Sequence, residues 1–319
     1  MPAHLGSRLN IQSSFIGGLK LLETLMTQST QFSQVQDLSA AFARLVGIAA
    51  PSIGAINSAH SQSSGFFWRP GLIVTAEEAL SEEGDVTVTL PSGESLAAQL
   101  VGRDHTTDIA VLRVQRSDLP PVQFETKPVP VGALAIVVGA EDGSPTAALG
   151  VVSRSIGPWW SLRGGEINAR IELDLHMRRS AEGGLAFDAT GRAIGMTVFG
   201  PRRRVLVIPS ATIERVAARL EKHGHIPRGY LGLGFQLVAI EGGGRGVMVM
   251  NVEPQGPGAK AGVQQGDIIV SWNGEPIRHV RALLRALGPD SVGQTVTLGL
   301  RRGGETRNVP LTIAERPTA

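Results

Sequence analysis

The chain of 319 residues contains no cysteine. Disulfide bonds, cysteine nucleophiles and thiolate metal sites are therefore excluded, although this absence does not select a cellular compartment. Aromatic residues are also scarce, at 4% of the chain with one tyrosine, whereas glycine occurs 40 times and proline 19 times. This composition favours many short strands joined by turns over a helical protein. The length predicts two domains, and the hydrophobic fraction of 42% is enough for packed cores.

A large excess of charge and a long apolar run are absent as well. Lys and Arg number 30 against 28 Asp and Glu, a balance that is not typical of a nucleic-acid-binding surface. No apolar run approaches the roughly 20 residues that span a bilayer, so neither a nucleic-acid partner nor a membrane span is expected. The stretch FIGGLKLLETLM is interrupted by Lys20 and Glu23, and no Ala-x-Ala site follows, so no signal peptide is predicted. The compartment stays unassigned, and Met26 is an alternative start.

The N-terminal part is predicted to be an arm over residues 1–37, polar and rich in Ser and Gln, with some helix around Phe15–Leu25. A first folded domain is predicted over 38–225. Its apolar spacing at Leu38–Val46 indicates a short amphipathic helix. Short strands such as GLIVTA, DVTVTL and LAIVVG follow at close spacing without crossover helices, which favours an antiparallel sandwich or a pair of barrels.

The first domain is predicted to close with a helix at Ala211–His223, with Ser210 as its N-cap and Gly224 as its stop signal. Strands recur after it, among them YLGLGFQLV, GVMVMNV and TVTLGLRR. Short helices are predicted around Gly258–Gly262 and Val280–Leu287. Roughly ninety residues with this order predict a small second domain over 228–316.

Several motifs together resemble a known family. SSGFF, GLIVTAEEAL, TTDIAVLRV, SAEGGLAFDATGRAIGM and GVQQGDIIVSWNGEPI occur in this order. Over residues 38–316 the chain resembles the HtrA/DegP-type serine endopeptidases. The resemblance implies a mainly β fold, with a trypsin-like double β-barrel followed by a PDZ domain.

The resemblance implies a defective catalytic triad. The position of the family's base histidine holds Glu78, the orienting acid is retained as Asp108, and the position of the nucleophilic serine holds Glu182. The loop that would form the oxyanion hole contains Ser180, Ala181 and Gly183, with serine in place of a family glycine. An orienting acid has no role without an imidazole to hold, so the chain is predicted to be a pseudoprotease.

Three carboxylates in one place repel one another, and at least one is expected to have a raised pKa. Such a cluster could bind a cation or act as an acid and base; alternatively, the protease residues were lost and Arg178 and Arg179 balance the charge. No His-Glu-x-x-His motif is present, and no metal or cofactor is assigned. His105 and His176 are alternative bases, but each is better explained as a surface or pocket-filling residue. The nearest hydroxyl groups, in sequence contexts that are not those of a nucleophile, are those of Ser155, Ser161 and Ser180.

Two further segments indicate contacts. Trp159-Trp160 is bounded by Gly157-Pro158 on a loop, and one of two adjacent tryptophans is expected to face a neighbouring domain or subunit. The arginine run at 202–204 precedes the strand VLVIP. It is interpreted as a solvated turn, with an acidic partner or the PDZ domain as the alternative contact.

The PDZ part resembles a complete peptide-binding domain. The implied carboxylate-binding loop comprises Tyr230, Leu231, Gly232 and Leu233, where the absence of a side chain at Gly232 permits close backbone approach. The strand from Phe235 offers an edge for a peptide. Arg281 and Leu284 on the following helix are predicted to form the other wall.

The sequence therefore predicts a protein that binds C-terminal peptides or unfolded proteins through its PDZ domain. Its other expected partners are copies of itself, as a trimer by family resemblance, or active HtrA-type subunits. A serine endopeptidase of the HtrA/DegP family with a non-standard site is the main alternative. A carboxylate-based hydrolase or a cation site is the third.

Overall fold

In the computed structural model the described residues are 33–317, apart from 60, 83, 125–126, 241–243 and 278. The predicted helix at Phe15–Leu25 and most of the predicted arm lie outside these residues. Residues 33–49 form helix α1, which is longer than the predicted Leu38–Val46. Phe42, Leu45 and Val46 of this helix pack against the main hydrophobic core.

The first barrel is closed by six antiparallel strands in the order β1-β2-β3-β6-β5-β4. Alternating apolar side chains fill its interior, among them Ile56, Phe67, Ile73 and Leu112, all within 1% of complete burial. The strands are β1 (Ile53–Ser58), β2 (Ser61–Arg69), β3 (Leu72–Thr75), β4 (Val86–Thr89), β5 (Ser95–Asp104) and β6 (Ile109–Val114).

The second barrel closes in the order β11-β14-β13-β12-β7-β8, and a small hairpin of β9 and β10 projects from it. The strands are β7 (Leu134–Glu141), β8 (Ser144–Ile156), β9 (Trp159–Trp160), β10 (Glu166–Ile167), β11 (Arg170–Asp174), β12 (Leu185–Asp188), β13 (Ala193–Phe199) and β14 (Val205–Pro209). The main hydrophobic core joins the two barrels to helix α2 (Ser210–His223). The predicted mainly β fold with two barrels is confirmed.

The predicted start of α2 is wrong by one residue. Pro209 occupies the N-cap position and Ser210 is the first helical residue. Proline has no N–H and already ends strand β14, so the chain turns into the helix directly after it. The predicted stop is confirmed, because Gly224 is left-handed with φ of 75° and donates its N–H to the carbonyl of Leu220 at 2.8 Å.

The second domain is a five-strand path β16-β17-β18-β20-β21, with β19 paired to β18 and β15 paired to β22. Its elements are β15 (Gly229–Tyr230), β16 (Leu233–Ala239), β17 (Arg245–Val252), α3 (Pro257–Lys260), β18 (Ile268–Trp272), β19 (Glu275–Pro276), α4 (Val280–Ala286), β20 (Thr295–Arg302), β21 (Glu305–Thr312) and β22 (Ala314–Glu315). The predicted positions of the two short helices, α3 and α4, are confirmed. Strand β16 is an edge of the sheet, and α4 packs beside it. The predicted domain boundaries at 38–225 and 228–316 stay predictions.

The two domains meet at the β9–β10 hairpin and the connecting segment. The guanidinium of Arg285 on α4 lies over the ring of Trp160, 5.6 Å from its centroid. Trp159 instead packs against the main core and donates its ring N–H to the carbonyl of Ala169 at 3.2 Å. One tryptophan of the pair therefore faces the neighbouring domain, as the sequence indicated. Arg228 adds an ion pair to Asp104 at 3.3 Å across the same junction.

Candidate functional site

The three predicted catalytic positions lie on loops at the junction of the barrels. Glu78 follows β3, and Asp108 precedes the paired strand β6. The backbone N–H of Glu78 donates to the carboxylate of Asp108 at 2.8 Å. Glu182 lies between the 3-10 turn Arg179–Ala181 and strand β12. The fold thus brings together residues that are up to 104 positions apart in sequence.

Asp108 is the most strongly perturbed acid of the three. Burial raises its pKa to about 8, and the charges of Glu78, Glu182 and Glu77 add to this effect, while the hydrogen bond from the Glu78 N–H opposes it. A raised pKa was predicted from mutual repulsion. The raised pKa is confirmed, but desolvation rather than repulsion is its first cause. At neutral pH the Asp108 carboxyl is mostly protonated, and its backbone is left-handed with φ of 60°.

Glu182 is half-buried, and its carboxylate accepts the backbone N–H of Phe199 at 3.2 Å. Burial raises the pKa of Glu182, followed by the charge of Glu78. The Phe199 N–H lowers the pKa by more than Glu78 raises it but by less than burial does, and the positive charges of Arg179 and Arg203 lower it by smaller amounts. The Glu182 side chain is therefore held in place by a backbone N–H of strand β13 in the second barrel.

Glu78 points towards a different partner. Its carboxylate pairs with the guanidinium of Arg163 at 3.0 Å, and Arg163 also donates to the carbonyl of His105 at 3.3 Å. The expected neutralisation by Arg178 is wrong, because Arg178 pairs with Glu141 at 2.9 Å. Arg163 lies in the β9–β10 turn, far along the chain, and no motif in the sequence signals its contact with Glu78.

The loop at Glu182 is a closed turn. The N–H groups of Ala181 and Glu182 donate to the carbonyls of Arg178 and Arg179, both at 3.1 Å, and the Gly183 N–H donates to Thr197 at 2.8 Å. An oxyanion hole needs preorganised N–H donors that are free to bind the developing charge. In this structure the N–H at the nucleophile position is already hydrogen-bonded.

Ser64 fixes this turn from the other barrel. Its hydroxyl donates to the carbonyl of Ser180 at 2.6 Å and accepts the N–H of Ala140 at 2.8 Å, while its own N–H donates to the carbonyl of Glu182 at 2.7 Å. Ser64 is fully buried. The Ser180 hydroxyl turns outward and donates to Glu141 at 3.2 Å. Sequence reasoning did not identify Ser64 because a serine inside a strand has no distinctive pattern.

The alternative bases and nucleophiles have other contacts. His105 is exposed and places Nδ1 2.8 Å from the carboxylate of Glu77, and His176 is exposed as well. The Ser161 hydroxyl donates to the carbonyl of Thr106 at 2.6 Å. Ser155 lies within β8 and pairs with Ile171 of β11. Each histidine therefore lies on the surface, which was the favoured interpretation.

A cavity of about 970 Å³ opens between the barrels above Glu182. Polar side chains form most of its wall, and Glu78, Glu141, Glu182, Arg178, Arg179 and Arg203 supply the charges. Within the ranges that the structure describes, no group of three or more His, Asp or Glu side chains is arranged to hold a metal ion. In the same part of the chain, no helix has the length and apolar character to cross a membrane.

The predicted carboxylate-binding loop begins the second domain. Gly232 is left-handed with φ of 66°, and a Cβ there would lie 2.9 Å from the Cα of Gly256. The carbonyls of Leu231 and Gly232 accept the N–H groups of Gly258 and Glu253 at 2.7 and 2.8 Å. In the described part of the chain, the N–H of Gly232 donates to no backbone carbonyl. The loop is thus held through its carbonyls.

Apolar side chains border the groove between β16 and α4. Leu284 of α4 is 47% exposed and Leu237 of β16 is 41% exposed. Leu233 and Phe235 are partly buried and pack against the core of this domain. Arg281 is exposed on the same helix. Sequence reasoning missed Leu237, although strand alternation from Phe235 places it on the same face. The hydroxyl of Tyr230 bonds the Glu253 carboxylate, which raises the pKa of Tyr230.

Comparison with known proteins agrees with this geometry. Residues 63–196 match the model of the trypsin-like peptidase domain, and residues 229–313 match that of the PDZ domain. A probable periplasmic serine endoprotease, DegP-like, from Bartonella henselae is 33% identical over 275 residues, or 80% of this chain and 53% of that protein. In fold and domain order, the chain is similar to the DegP-like serine endoproteases.

Further relatives and solved structures show the same similarity. A DegP-like relative from Rhizobium meliloti is 31% identical over 81% of this chain and 54% of its own length. The chain thus spans about half the length of the curated relatives that it matches. A serine endoprotease structure from Yersinia pestis superposes with a TM-score of 0.70 at 26% identity, covering 86% of this chain and 98% of that one. An HtrA-type protease AlgW structure with a decapeptide has a TM-score of 0.69 at 21% identity, covering 87% and 99%, and shows the fold alone.

The pKa of Asp108 predicts how stability depends on pH. The folded value of about 8 exceeds the ordinary value of 3.8, so the folded protein binds the extra proton between these values and loses stability as pH rises through them. Asp108→Asn keeps an oxygen for the Glu78 N–H and suits the left-handed backbone. The variant should melt higher than the parent at pH 8.5, by a margin that disappears towards pH 4. Each unit of pKa difference corresponds to about 1.4 kcal/mol.

Asp142→Asn is the matched control in thermal melts from pH 4 to 9. Asp142 is also left-handed, with φ of 49°, but is exposed at a hairpin turn. Its substitution should leave the pH profile unchanged. An Asp108→Asn variant destabilised equally at every pH would show that Asp108 is ionised in the folded protein.

Proposed function

We propose that the protein is an HtrA-like pseudoprotease that acts by binding C-terminal peptides or unfolded proteins through its PDZ domain. The proposal rests mainly on the hydrogen bonds that Glu182 makes at the position of the nucleophile. A residue at the nucleophile position should be free to attack, but the Glu182 carboxylate accepts the Phe199 N–H. Its own N–H, which an oxyanion hole would use, donates to Arg179.

The remaining residues at this site offer no substitute for the missing chemistry. A serine-type mechanism needs an imidazole between the acid and the nucleophile. Glu78 occupies that position and pairs with Arg163. Asp108, with a pKa of about 8, is mostly neutral at pH 7 and cannot stabilise an imidazolium as a carboxylate does. These contacts support loss of peptide-bond hydrolysis.

The groove of the PDZ domain supports binding as the retained activity. A peptide would add as a strand to the edge of β16, which is the β-augmentation mode. Its terminal carboxylate would accept N–H donors from the loop at Gly232, and its last side chain would pack against Leu233 and Leu284. A trimer of this chain, or assembly with active HtrA-type subunits, would then place several grooves close together.

A serine endopeptidase with a non-standard catalytic site is the alternative. It is favoured by one finding, namely that the curated relatives carry the name of serine endoproteases. The two functions differ in a direct test with a fluorophosphonate serine probe and unfolded casein. The parent protein should neither be labelled nor cut casein, and labelling or cleavage that persists through purification would establish the alternative.

Restoration of the triad should restore reactivity. Glu78→His with Glu182→Ser would place an imidazole and a hydroxyl beside Asp108. Adding Ser180→Gly should increase probe labelling further, because one oxyanion donor is worth on the order of 10² to 10³ in rate. Labelling rates of the double and triple variants, measured on protein with an unchanged melting profile, test this expectation.

A matched triple variant with Glu182→Ala in place of Glu182→Ser should remain unlabelled. It separates reaction at residue 182 from labelling of another serine. If the triple variant with Glu182→Ser folds and is still not labelled, the turn at 179–184 cannot adopt a catalytic conformation. The loss of protease activity would then be due to the backbone conformation of this turn as well as to the replaced side chains.

The PDZ groove gives a separate prediction. Peptides with an apolar last residue and a free C-terminus should bind the full-length protein with a dissociation constant on the order of micromolar, because a short strand buries little surface. Amidation of the peptide removes the charge and should weaken binding several-fold. Gly232→Val should weaken it further, since the added side chain meets Gly256. Isothermal titration with a peptide library measures all three effects.

Asn308→Val is the control for this titration, because Asn308 is exposed on β21 at the opposite edge of the sheet. It should bind peptide as the parent does. Equal affinity for free and amidated peptides would show that the groove does not bind a C-terminal carboxylate. The domain would then be an assembly contact only.

A further inference from the structure

The cavity between the barrels offers a second binding site that is independent of the PDZ groove. Asn57 and Gln62 line it from the first barrel, and the 179–182 turn and Arg203 line it from the second. Its volume of about 970 Å³ lies at the upper end of the range for small-molecule pockets, roughly 300–1,000 Å³. Most of the residues that line it are polar, and six of them carry a charge.

Two arginines at this cavity have no acidic partner. Arg178 is paired with Glu141, whereas Arg179 and Arg203 form no ion pair with any carboxylate in the described chain. Arg203 lies over the ring of Phe199, 5.0 Å from its centroid. Both side chains are exposed. Their guanidinium groups are therefore available to a ligand, in a planar form that matches a carboxylate.

The net positive charge of Arg179 and Arg203 at this cavity depends on whether Glu182 is protonated. Glu78 and the mostly neutral Asp108 approach it from the first barrel, and Arg179 and Arg203 approach from the second. Glu141 and Arg178 neutralise each other at the rim. Burial raises the pKa of Glu182, and protonation of Glu182 would remove the carboxylate whose charge faces the two arginines.

We propose that this cavity binds an acidic segment of a polypeptide, with an Asp or Glu side chain of that segment paired to Arg179 and Arg203, and leaves the bound segment uncut. The cavity joins side chains of both barrels and is open, so it accommodates an extended chain better than a single small anion. The side-chain amides of Asn57 and Gln62 donate to Thr89 and Asp142, and their carbonyl oxygens can accept backbone N–H groups of such a segment.

Binding should be coupled to proton uptake. A ligand carboxylate brought near Glu182 adds a like charge and raises the pKa of Glu182 further. Affinity should therefore increase as pH falls and Glu182 takes up a proton, and decline again as the ligand carboxylate protonates near its ordinary pKa of about 4.3. Glu182→Gln removes the like charge. This variant should bind more tightly at pH 8 and lose most of the pH dependence.

The test uses full-length protein and capped pentapeptides labelled with a fluorophore. The sequences Ala-Ala-Glu-Ala-Ala, Ala-Ala-Gln-Ala-Ala and Ala-Ala-Lys-Ala-Ala carry the fluorophore as their N-terminal acyl group and an amide at the C-terminus. They have no terminal carboxylate, so the PDZ groove does not contribute. In fluorescence anisotropy at low salt, the Glu peptide should bind tightest. Arg179→Gln and Arg203→Gln should each weaken it about three-fold or more, given the strength of partly exposed ion pairs.

Arg202→Gln is the matched control, because Arg202 lies in the same turn, is exposed and does not line the cavity. It should leave affinity unchanged. Arg203→Glu should reverse the preference from the Glu peptide to the Lys peptide, which a merely destabilised variant would not do. Equal binding of Glu and Gln peptides, or an equal loss in Arg202→Gln, would overturn the proposal. If glutarate competes as strongly per molecule as the peptide binds, the ligand is a small dicarboxylate and the polypeptide assignment is wrong.

Discussion

The contact of Ser64 with the turn at residues 179–184 is the constraint on which the rest of the site depends. One buried serine donates and accepts three hydrogen bonds that join strand β2 of the first barrel to two carbonyls of the second and to Ala140. The space around the turn is equally restricted, because a Cβ at Gly183 would lie 2.2 Å from the Ser64 carbonyl. Buried polar groups are costly to leave unpaired. These hydrogen bonds therefore stabilise the folded protein whether or not the site is catalytic.

The side chains on this scaffold determine a different electrostatic character from that of a hydrolase. Burial makes Asp108 and Glu182 reluctant to ionise, while Arg163 neutralises Glu78. The cleft therefore carries less negative charge than three acidic residues suggest. Its exposed arginines outweigh the remaining carboxylates on the side of the second barrel, whereas apolar side chains border the PDZ groove. The two sites differ in the ligands that they suit.

Sequence patterns predicted the fold well because strand alternation and turn residues are local signals. The two barrels, the PDZ domain, the helix ended by Gly224 and the edge strand at Phe235 all followed from them or from the family resemblance. The replaced positions Glu78 and Glu182 were also visible in the motifs. The partners of these side chains were not, since Arg163 and Phe199 lie in other segments and only the closed barrels bring them near. The cause of the Asp108 shift likewise depends on burial, which a sequence does not give.

The tryptophan pair has a mechanical consequence. Trp159 is anchored in the core of the barrels while Trp160 carries the guanidinium of Arg285, so a two-residue strand transmits force between the domains without a flexible joint. Arg228 provides a second attachment to Asp104. Arg219 adds a third by pairing with Asp290 at 3.2 Å, so a pull on a ligand in the groove is shared by contacts at several separate points along the chain.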